Sequence, residues 1–558
     1  MLMRIGKANL LRPHSAQPTL ILNTNLKLIP TFTRSIHTSS SHTMSDQPNS
    51  YASALERLAQ LQSNKAVTSL FGRPASTSSP PVDLNSLAIP EMLDWLRRAG
   101  YTPEDLATSG LRCVHVAGTK GKGSVSTFIA SILHHHLSST SASSEAAPSR
   151  RRRVGLYTSP HVLSVRERIV VDGLPLPRDK FARYVHEVWA RLTDAARQEA
   201  ARQNLTNVSD AELDGPATKP FYFRFLTLVA AHAFAREGVT DAVVECGIGG
   251  EYDATSAWLF APELVTAGVV TQLGIDHVAM LGGTVEEIAW HKAGVWKAGR
   301  KGLTVRQPTE EATEVLRQRG REKGVEEIVV VEDEVVERWE GVEGARLQGP
   351  FQKKNMALAV AAAREHLLRT GVVLEGRFGT NEWTLADLPE TFLRGLREAS
   401  LPGRSQVVVD ERGIEWHIDG AHTDDSLRGV GQWFASQAGS GDEAVRVLVF
   451  NQQDRKPGPL LEALVGSGLT FHHAVFTRND ETSAGGDLGV QEALAEKMRE
   501  LNPEAATAVY DAVQLAVDHV RHVAEQAEKD NKPCEVLVTG SFHLAGPVLK
   551  ALGQSDEP

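Results

Sequence analysis

From about Tyr51 onward the chain alternates short apolar runs with longer stretches whose apolar residues recur at helical spacing. The runs Leu111 to Val116, Val154 to Tyr157, Ala242 to Cys246 and Leu264 to Val270 are rich in Val or Leu. Such unbroken apolar segments predict parallel strands covered on both faces. Helical patterns follow them at Val125 to Leu137, Leu226 to Phe234 and from Val285 onward, so strand, loop and helix units predict an α/β fold. A second series begins near Gly403, with strands expected at Val407 to Val409, Val445 to Phe450, Ala474 to Phe476 and Val536 to Val538. Between the two series, Leu401-Pro-Gly-Arg404 interrupts both periodicities and predicts a hinge. Two lobes with a cleft between them follow. Three polar stretches break the pattern: Ser138 to Arg153, ending in four arginines, residues 193 to 219, and the acid-rich Thr309 to Glu343. They read as an exposed insertion loop, a second polar insertion and a solvated surface.

Composition narrows the function. At 558 residues, 41% hydrophobic and 23% charged, the chain exceeds what one core usually organises and has an ordinary globular balance. The 59 basic against 69 acidic residues leave a net charge of −10, which provides no global field for a nucleic acid backbone. Cys113, Cys246 and Cys534 show no CxxC spacing, so neither a disulfide framework nor a thiolate metal site is expected, and a reducing compartment fits. No apolar run reaches the ~18 residues of a bilayer span. Residues 1–45 carry Arg4, Lys7, Arg12, Lys27 and Arg34, many Ser and Thr, and no acid before Asp46, the composition of a mitochondrial presequence. A second start at Met44 would omit it, giving a cytoplasmic product beside a mitochondrial one. A merely unstructured tail is the alternative.

The strongest local signal is His115-Val-Ala-Gly-Thr-Lys-Gly-Lys-Gly-Ser124, placed after a strand and before a helical run. Glycines allow backbone amides to approach phosphates, the helix start adds its dipole, and Lys122 supplies a point charge. The match to the general P-loop pattern is imperfect, because Gly123 separates Lys122 from Ser124. A ligand-free glycine turn is the alternative, but two lysines in a turn call for an anion.

Five motifs then follow in order: Gly118-Thr-Lys-Gly-Lys-Gly-Ser124; Tyr157-Thr-Ser-Pro-His161 with Arg166-Glu-Arg-Ile169; Val244-Glu-Cys-Gly-Ile-Gly-Gly250; Leu273-Gly-Ile-Asp-His277; and Asp419-Gly-Ala-His422. Over roughly residues 51 to 550 the chain resembles the folylpolyglutamate synthases, members of the ATP-dependent Mur ligase group. The resemblance implies a P-loop-type ATPase domain with a mostly parallel sheet, residues 51–400, and a smaller Rossmann-like α/β ligase domain, residues 404–555. It implies ATP-dependent addition of L-glutamate to tetrahydrofolate or its polyglutamates, with Mg2+, a monovalent cation such as K+, and a monomeric enzyme.

The residue types suit that chemistry. A carboxylate repels an attacking amine, so amide formation at neutral pH needs prior activation, which phosphorylation by ATP provides. Gly118, Thr119, Lys120, Gly121, Lys122, Gly123 and Ser124 form the expected ATP cradle. Glu245 ends a buried apolar strand, where an unpaired carboxylate is expensive and a magnesium ion would stabilise it. By resemblance Ser159, Glu245 and His277 hold that ion; a hydrogen-bonded helix-entry residue is the other reading of His277. Lys292 matches a family lysine that can be carbamylated to hold a second metal, with an unmodified surface lysine as the alternative. Asn355, Arg404 and Asp419 resemble nucleotide contacts, the last two reaching ATP from the second lobe. His422 is placed to face the same cavity as an orienting or proton-handling group, although Thr423 and Asp424 after it depart from the usual family form. In the run Phe221-Tyr-Phe-Arg-Phe225, read as preceding a helix, Phe223 suits a pterin and Arg224 a glutamyl carboxylate; core packing is the competing role. Two other activities stay open: a dihydrofolate synthase adding the first glutamate to dihydropteroate, and a dinucleotide-dependent oxidoreductase prompted by Gly247-Ile-Gly-Gly250, which lacks the third fingerprint glycine.

Overall fold

The computed structural model describes residues 49–61, 84–142, 151–437, 444–453, 457–466, 468–483 and 485–554. The expected leader at 1–45 and part of the arginine-rich segment, 143–150, lie outside them. Strands β1 (Arg112–Ala117), β2 (Val154–Tyr157), β3 (Ile169–Val171), β4 (Leu174–Pro175), β5 (Asp241–Glu245), β6 (Val265–Val270), β7 (Lys301–Val305) and β8 (Ile328–Val331) form one sheet in the order β4-β3-β2-β5-β1-β6-β7-β8. From β2 to β8 all neighbours are parallel; β3 and β4 add an antiparallel end. Strands β9 (Gln406–Val409), β10 (Glu415–Ile418), β11 (Val445–Phe450), β12 (His473–Thr477), β13 (Ala506–Tyr510) and β14 (Cys534–Thr539) form a second sheet, β13-β12-β11-β14-β10-β9, in which only β9 runs antiparallel.

The central strands are buried on both faces for the reason their sequences gave. Val114 and Val116 of β1 and Val243 of β5 point into a core with the helices Lys122–Ala142 and Pro350–Arg369, while Cys113, Ala242 and Val244 point into the core of the opposite face. Cys113 and Cys246 are fully buried and Cys534 is half-buried; all three are free thiols. Among the described residues no helix is long and apolar enough to cross a membrane.

Parts of all three polar stretches are built into the fold, although residues 203–212 and much of 309–343 are exposed as expected. The helix begun at the glycine loop runs to Ala142, and Arg152 and Arg153 are anchored: Arg152 pairs with buried Asp241, and Arg153 with Asp172 at 2.8 Å and Glu237 at 3.0 Å. Residues 193–202 continue the helix Arg178–Arg202, burying Thr193, Ala196 and Ala200. Thr309–Glu343 contains the helix Glu310–Lys323, strand β8 and the helix Asp333–Arg338. Its apolar face, Ala312 and Leu316, is sparse, and Arg319 is buried against Glu251 at 2.7 Å, so charges carry the packing that apolar periodicity would have signalled. The aromatic run does not precede its helix. Phe221 is the N-cap residue and Tyr222–Glu237 is helical, because tertiary burial overrides the weak helix preference of aromatic residues.

Candidate functional site

The C-terminal ends of β1, β2, β5 and β6 open into a cavity of about 1650 Å³ that the second sheet's loops close from the other side. Strand ends at this edge are where parallel sheets place ligands. Of the residues singled out in the sequence, Thr119 to Ser124, Ser159, Phe223, Arg224, Glu245, His277, Asn355, Arg404, Asp419 and His422 line it. Gly118 and Lys292 do not reach its surface; Lys292 lies beneath the loop, against the Gly118 carbonyl.

The glycine loop is built by close packing. Gly118 has φ +147°, and a Cβ there would meet Thr271 Oγ1 at 1.8 Å; at Gly121, φ +85°, a Cβ would meet Asn355 Oδ1 at 2.5 Å. The amides of Thr119 and Lys120 both donate to the Gln272 carbonyl at 3.0 Å, so these two amides brace the loop. Lys122, Gly123 and Ser124 open the helix Lys122–Ala142, whose bonding begins with Val125 N on Gly121 O at 2.8 Å; the unpaired start of such a helix suits phosphate oxygens. Lys292 Nζ donates to the Gly118 carbonyl at 2.7 Å from a fully buried position, so it is not a surface lysine. Burial, then the charge of Lys122, pushes its amine down to about 7. The glycines at 247–250 serve packing: a Cβ on Gly247 would meet the Phe223 ring at 2.5 Å, and one on Gly250 the carbonyls of His291 and Lys292 at 2.7 and 2.8 Å.

Glu245 stands across from Lys122. Its Oε2 accepts from the Thr158 hydroxyl and, at 3.2 Å, from the Ser159 amide. Burial pushes this carboxyl above its usual range, opposed by Lys122, these two donors and Arg404. His277 sits in the left-handed region at φ 52°, with Nε2 3.6 Å from Asp276 Oδ2. Among the described residues no three His, Cys, Asp or Glu side chains gather as a metal-holding group. A cation at Glu245 would therefore lean on hydroxyl and phosphate oxygens.

From the other side, Asp419 is buried and pinned: Oδ2 accepts from Ser405 N at 2.8 Å and Oδ1 from Ala421 N at 2.9 Å. Burial raises its pKa, against the pull of Arg404 and those amides. Arg404 lies over the Phe542 ring at 4.8 Å. His422 Nδ1 donates to the Gly420 carbonyl at 3.0 Å, which orients the ring. Phe223 stacks on Tyr157 at 6.1 Å, and Arg224 is held by Glu91 at 2.5 Å.

The sequence reading missed Thr158, Gln352, Arg168 and Asp425. Gln352 Nε2 donates to Ser124 Oγ at 3.3 Å and its Oε1 accepts from Asn355 at 2.9 Å; its position one helical turn before Asn355 was the available signal. Lys120 Nζ reaches Asp425 Oδ2 at 2.5 Å, a bridge across 305 positions that no local pattern announces.

A glycine- and lysine-rich loop opening a helix on one wall, with an arginine and a carboxylate from a second sheet facing it, suits a two-lobed nucleotide-binding α/β protein. Comparison with known proteins narrows this. A family profile described as "Dihydrofolate synthetase, C-terminal domain" matches residues 405–551. The chain is 35% identical over 539 residues to the folylpolyglutamate synthase of Neurospora crassa, covering 92% of this chain and 93% of that one. The Mycobacterium tuberculosis folylpolyglutamate synthase complexed with ADP and AMPPCP matches at TM-score 0.59 and 25% identity, over 84% of this chain and 98% of that one. A folylpolyglutamate synthase solved with AMPPCP and folate shares the fold at TM-score 0.57 and 23% identity, over 90% and 99%. The chain belongs to the folylpolyglutamate synthase family.

Proposed function

We propose that this chain is an ATP-dependent ligase that adds L-glutamate to the γ-carboxylate of tetrahydrofolate and its polyglutamates, releasing ADP and phosphate. The observation that carries the reading is one cavity holding Lys122, Glu245, Arg404, Asp419 and the Phe223 wall together. Relatives along nearly the whole chain are folylpolyglutamate synthases, and family members bind AMPPCP and folate, which supports it.

In this reading the amides of Lys122 to Ser124 and the Lys122 ammonium hold the triphosphate. The γ-phosphoryl passes to the substrate carboxylate, giving an acyl phosphate and ADP. The glutamate amine then adds to the acyl carbon, and the tetrahedral intermediate collapses with loss of phosphate. Arg404 neutralises phosphate charge from the second lobe, and Asp419 accepts from ribose hydroxyls. Closure of the cavity excludes water, which would otherwise hydrolyse the acyl phosphate. The Phe223 ring and Arg224 receive the pterin and glutamyl ends of the folate. His422, which lines the same cavity, takes a proton from the incoming ammonium.

The residues around Glu245 suit Mg2+: the buried carboxylate would supply a hard oxygen, and Ser159 and His277, which line the same cavity, would complete the protein's share of the ligands. Bound there, Mg2+ neutralises phosphate charge. The Lys292 amine, pushed down to about 7, is deprotonated often enough near neutral pH to add CO2 and release a proton, giving a carbamate that intact-mass measurement in bicarbonate would detect. Residues 1–45 act as an import leader; a reporter fused to them that stays in the cytoplasm refutes that role.

The deciding experiment incubates purified protein with ATP, Mg2+, labelled glutamate and either tetrahydrofolate or dihydropteroate. Label is expected on tetrahydrofolate, with one ADP per amide bond. The second reading, a dihydrofolate synthase, draws on the family profile that matches 405–551. Label on dihydropteroate alone would establish it and overturn the first.

A further inference from the structure

Residues 158–168, between β2 and β3, form a loop closed on itself. At the neck, Thr158 N donates to the Arg168 carbonyl at 3.1 Å; inside, Arg168 Nε donates to His161 Nδ1 at 2.9 Å. Burial and the Arg168 charge push His161 down to about 3, so it stays a neutral acceptor. The centre is filled by the Glu167 carboxylate, which accepts from the amides of Val162 and Leu163, each at 2.8 Å, and of Ser164 at 2.6 Å. Three amides on one carboxylate are strong, charge-assisted bonds, and they fix the path of residues 162–164.

The two ends of this loop meet different lobes. Its base carries the Thr158 hydroxyl and Ser159 amide that hold Glu245. Its tip, Val162 and Leu163, packs against the core of the second lobe. There the Val162 carbonyl lies so close to the helix Phe542–Ala551 that a Cβ on Gly546 would stand 2.4 Å from it. The first turn of that helix returns to the site: Phe542 underlies Arg404 at 4.8 Å and abuts Gly420, the neighbour of Asp419, where a Cβ would meet Phe542 Cδ2 at 2.4 Å. A continuous path of close contacts therefore joins Glu245 on one wall to Arg404 and Asp419 on the other.

We propose that Glu167 is a positioning residue for the ligase reaction: by shaping the 158–168 loop it seats Val162 against Gly546 and so sets the spacing between the two walls of the site. The proposal rests on the ligase reading for its kinetic consequence only; the spacing itself is independent of it. Glu167→Gln exchanges one carboxylate oxygen for an amide nitrogen that cannot accept, and Gly546→Ala pushes the same contact apart from the opposite side, with no change to the loop's own bonds.

The test measures three quantities on the full chain carrying Cys534→Ser, with dyes on Glu311→Cys and Glu528→Cys: interlobe distance by energy transfer, kcat and KM with ATP, and melting temperature. Each variant is expected to shift the distance and to lower kcat by about tenfold or more, as a misplacement near 1 Å does. The double variant is expected to lose no more than the worse single one, because both act on one contact. Loss of melting temperature with kcat and distance unchanged would reduce Glu167 to a stabilising residue and overturn the proposal. So would fully multiplicative effects. Should Glu167→Gln not fold, Gly546→Ala decides alone. If the parent forms no amide, the ligase reading falls, and the distance readout still decides the coupling.

Discussion

Gly118 is the residue at which the phosphate loop tolerates least. With φ at +147° and Thr271 Oγ1 where a Cβ would go, Gly118→Ala must distort the loop or displace Thr271, at a cost of about 1–3 kcal/mol. Calorimetric titration with AMPPCP should show nucleotide affinity falling by at least about tenfold, the equivalent of 1.4 kcal/mol. Lys122→Ala behaves differently: the side chain lines the cavity and carries little packing, so ADP release should be abolished while the melting temperature stays within about 2 °C. Unchanged turnover would remove Lys122 from the phosphate site. Residues of this kind were legible in the sequence because glycines, lysines and a strand end announce phosphate chemistry within ten positions. The roles of Thr158 and Glu167 were not, since each acts on a group whose proximity only the folded chain creates, whereas Gln352 was marked by its helical spacing from Asn355.

Among the elements, the eight strands expected from Val- and Leu-rich runs were found within a residue or two, whereas β8, Ile-Val-Val-Val, lay in the stretch read as a solvated surface, and β7 and β13 were not anticipated. β3 and β4 are too short for a pattern, and β10, Glu-Trp-His-Ile, places polar residues inside a sheet. Charge also fastens helices to one another. Glu237, the last residue of the helix Tyr222–Glu237, accepts from Tyr184 at 2.5 Å and pairs with Lys180 and Arg153, each at 3.0 Å, which ties that helix to β2 and to the helix Arg178–Arg202. Although burial works the other way, Tyr184, Lys180 and Arg153 hold the Glu237 carboxyl down to about 2. A depressed carboxylate stabilises the fold above its unfolded value near 4.5 and loses that contribution as pH falls toward 2. Glu237→Gln should therefore lower the urea midpoint at pH 7, on the order of 1 kcal/mol after solvent screening, and the difference should shrink steadily between pH 4.5 and 2. A difference independent of pH would mean the ion pairs contribute nothing.

The molecule as a whole is organised around a cavity that neither sheet forms alone. Hydrogen exchange on adding ATP should slow amides in 119–124 and 419–428 together; protection confined to the first segment would separate Arg404 and Asp419 from the nucleotide. Two α/β series and a hinge were visible in the chain, because Pro402 and Gly403 interrupt both periodicities. Their spacing was not, for it depends on Lys120 meeting Asp425 and Val162 meeting Gly546. Cys113 and Cys246 sit sealed at the middle and end of the first sheet, where burial drives both thiols far above their usual ionisation range, and even Cys534 is pushed up to about 12. A thiol that cannot ionise scarcely reacts. Alkylating agents will thus mark Cys113 and Cys246 only in molecules whose sheet has come apart, and the pace of their labelling is a built-in clock for how often the native protein opens.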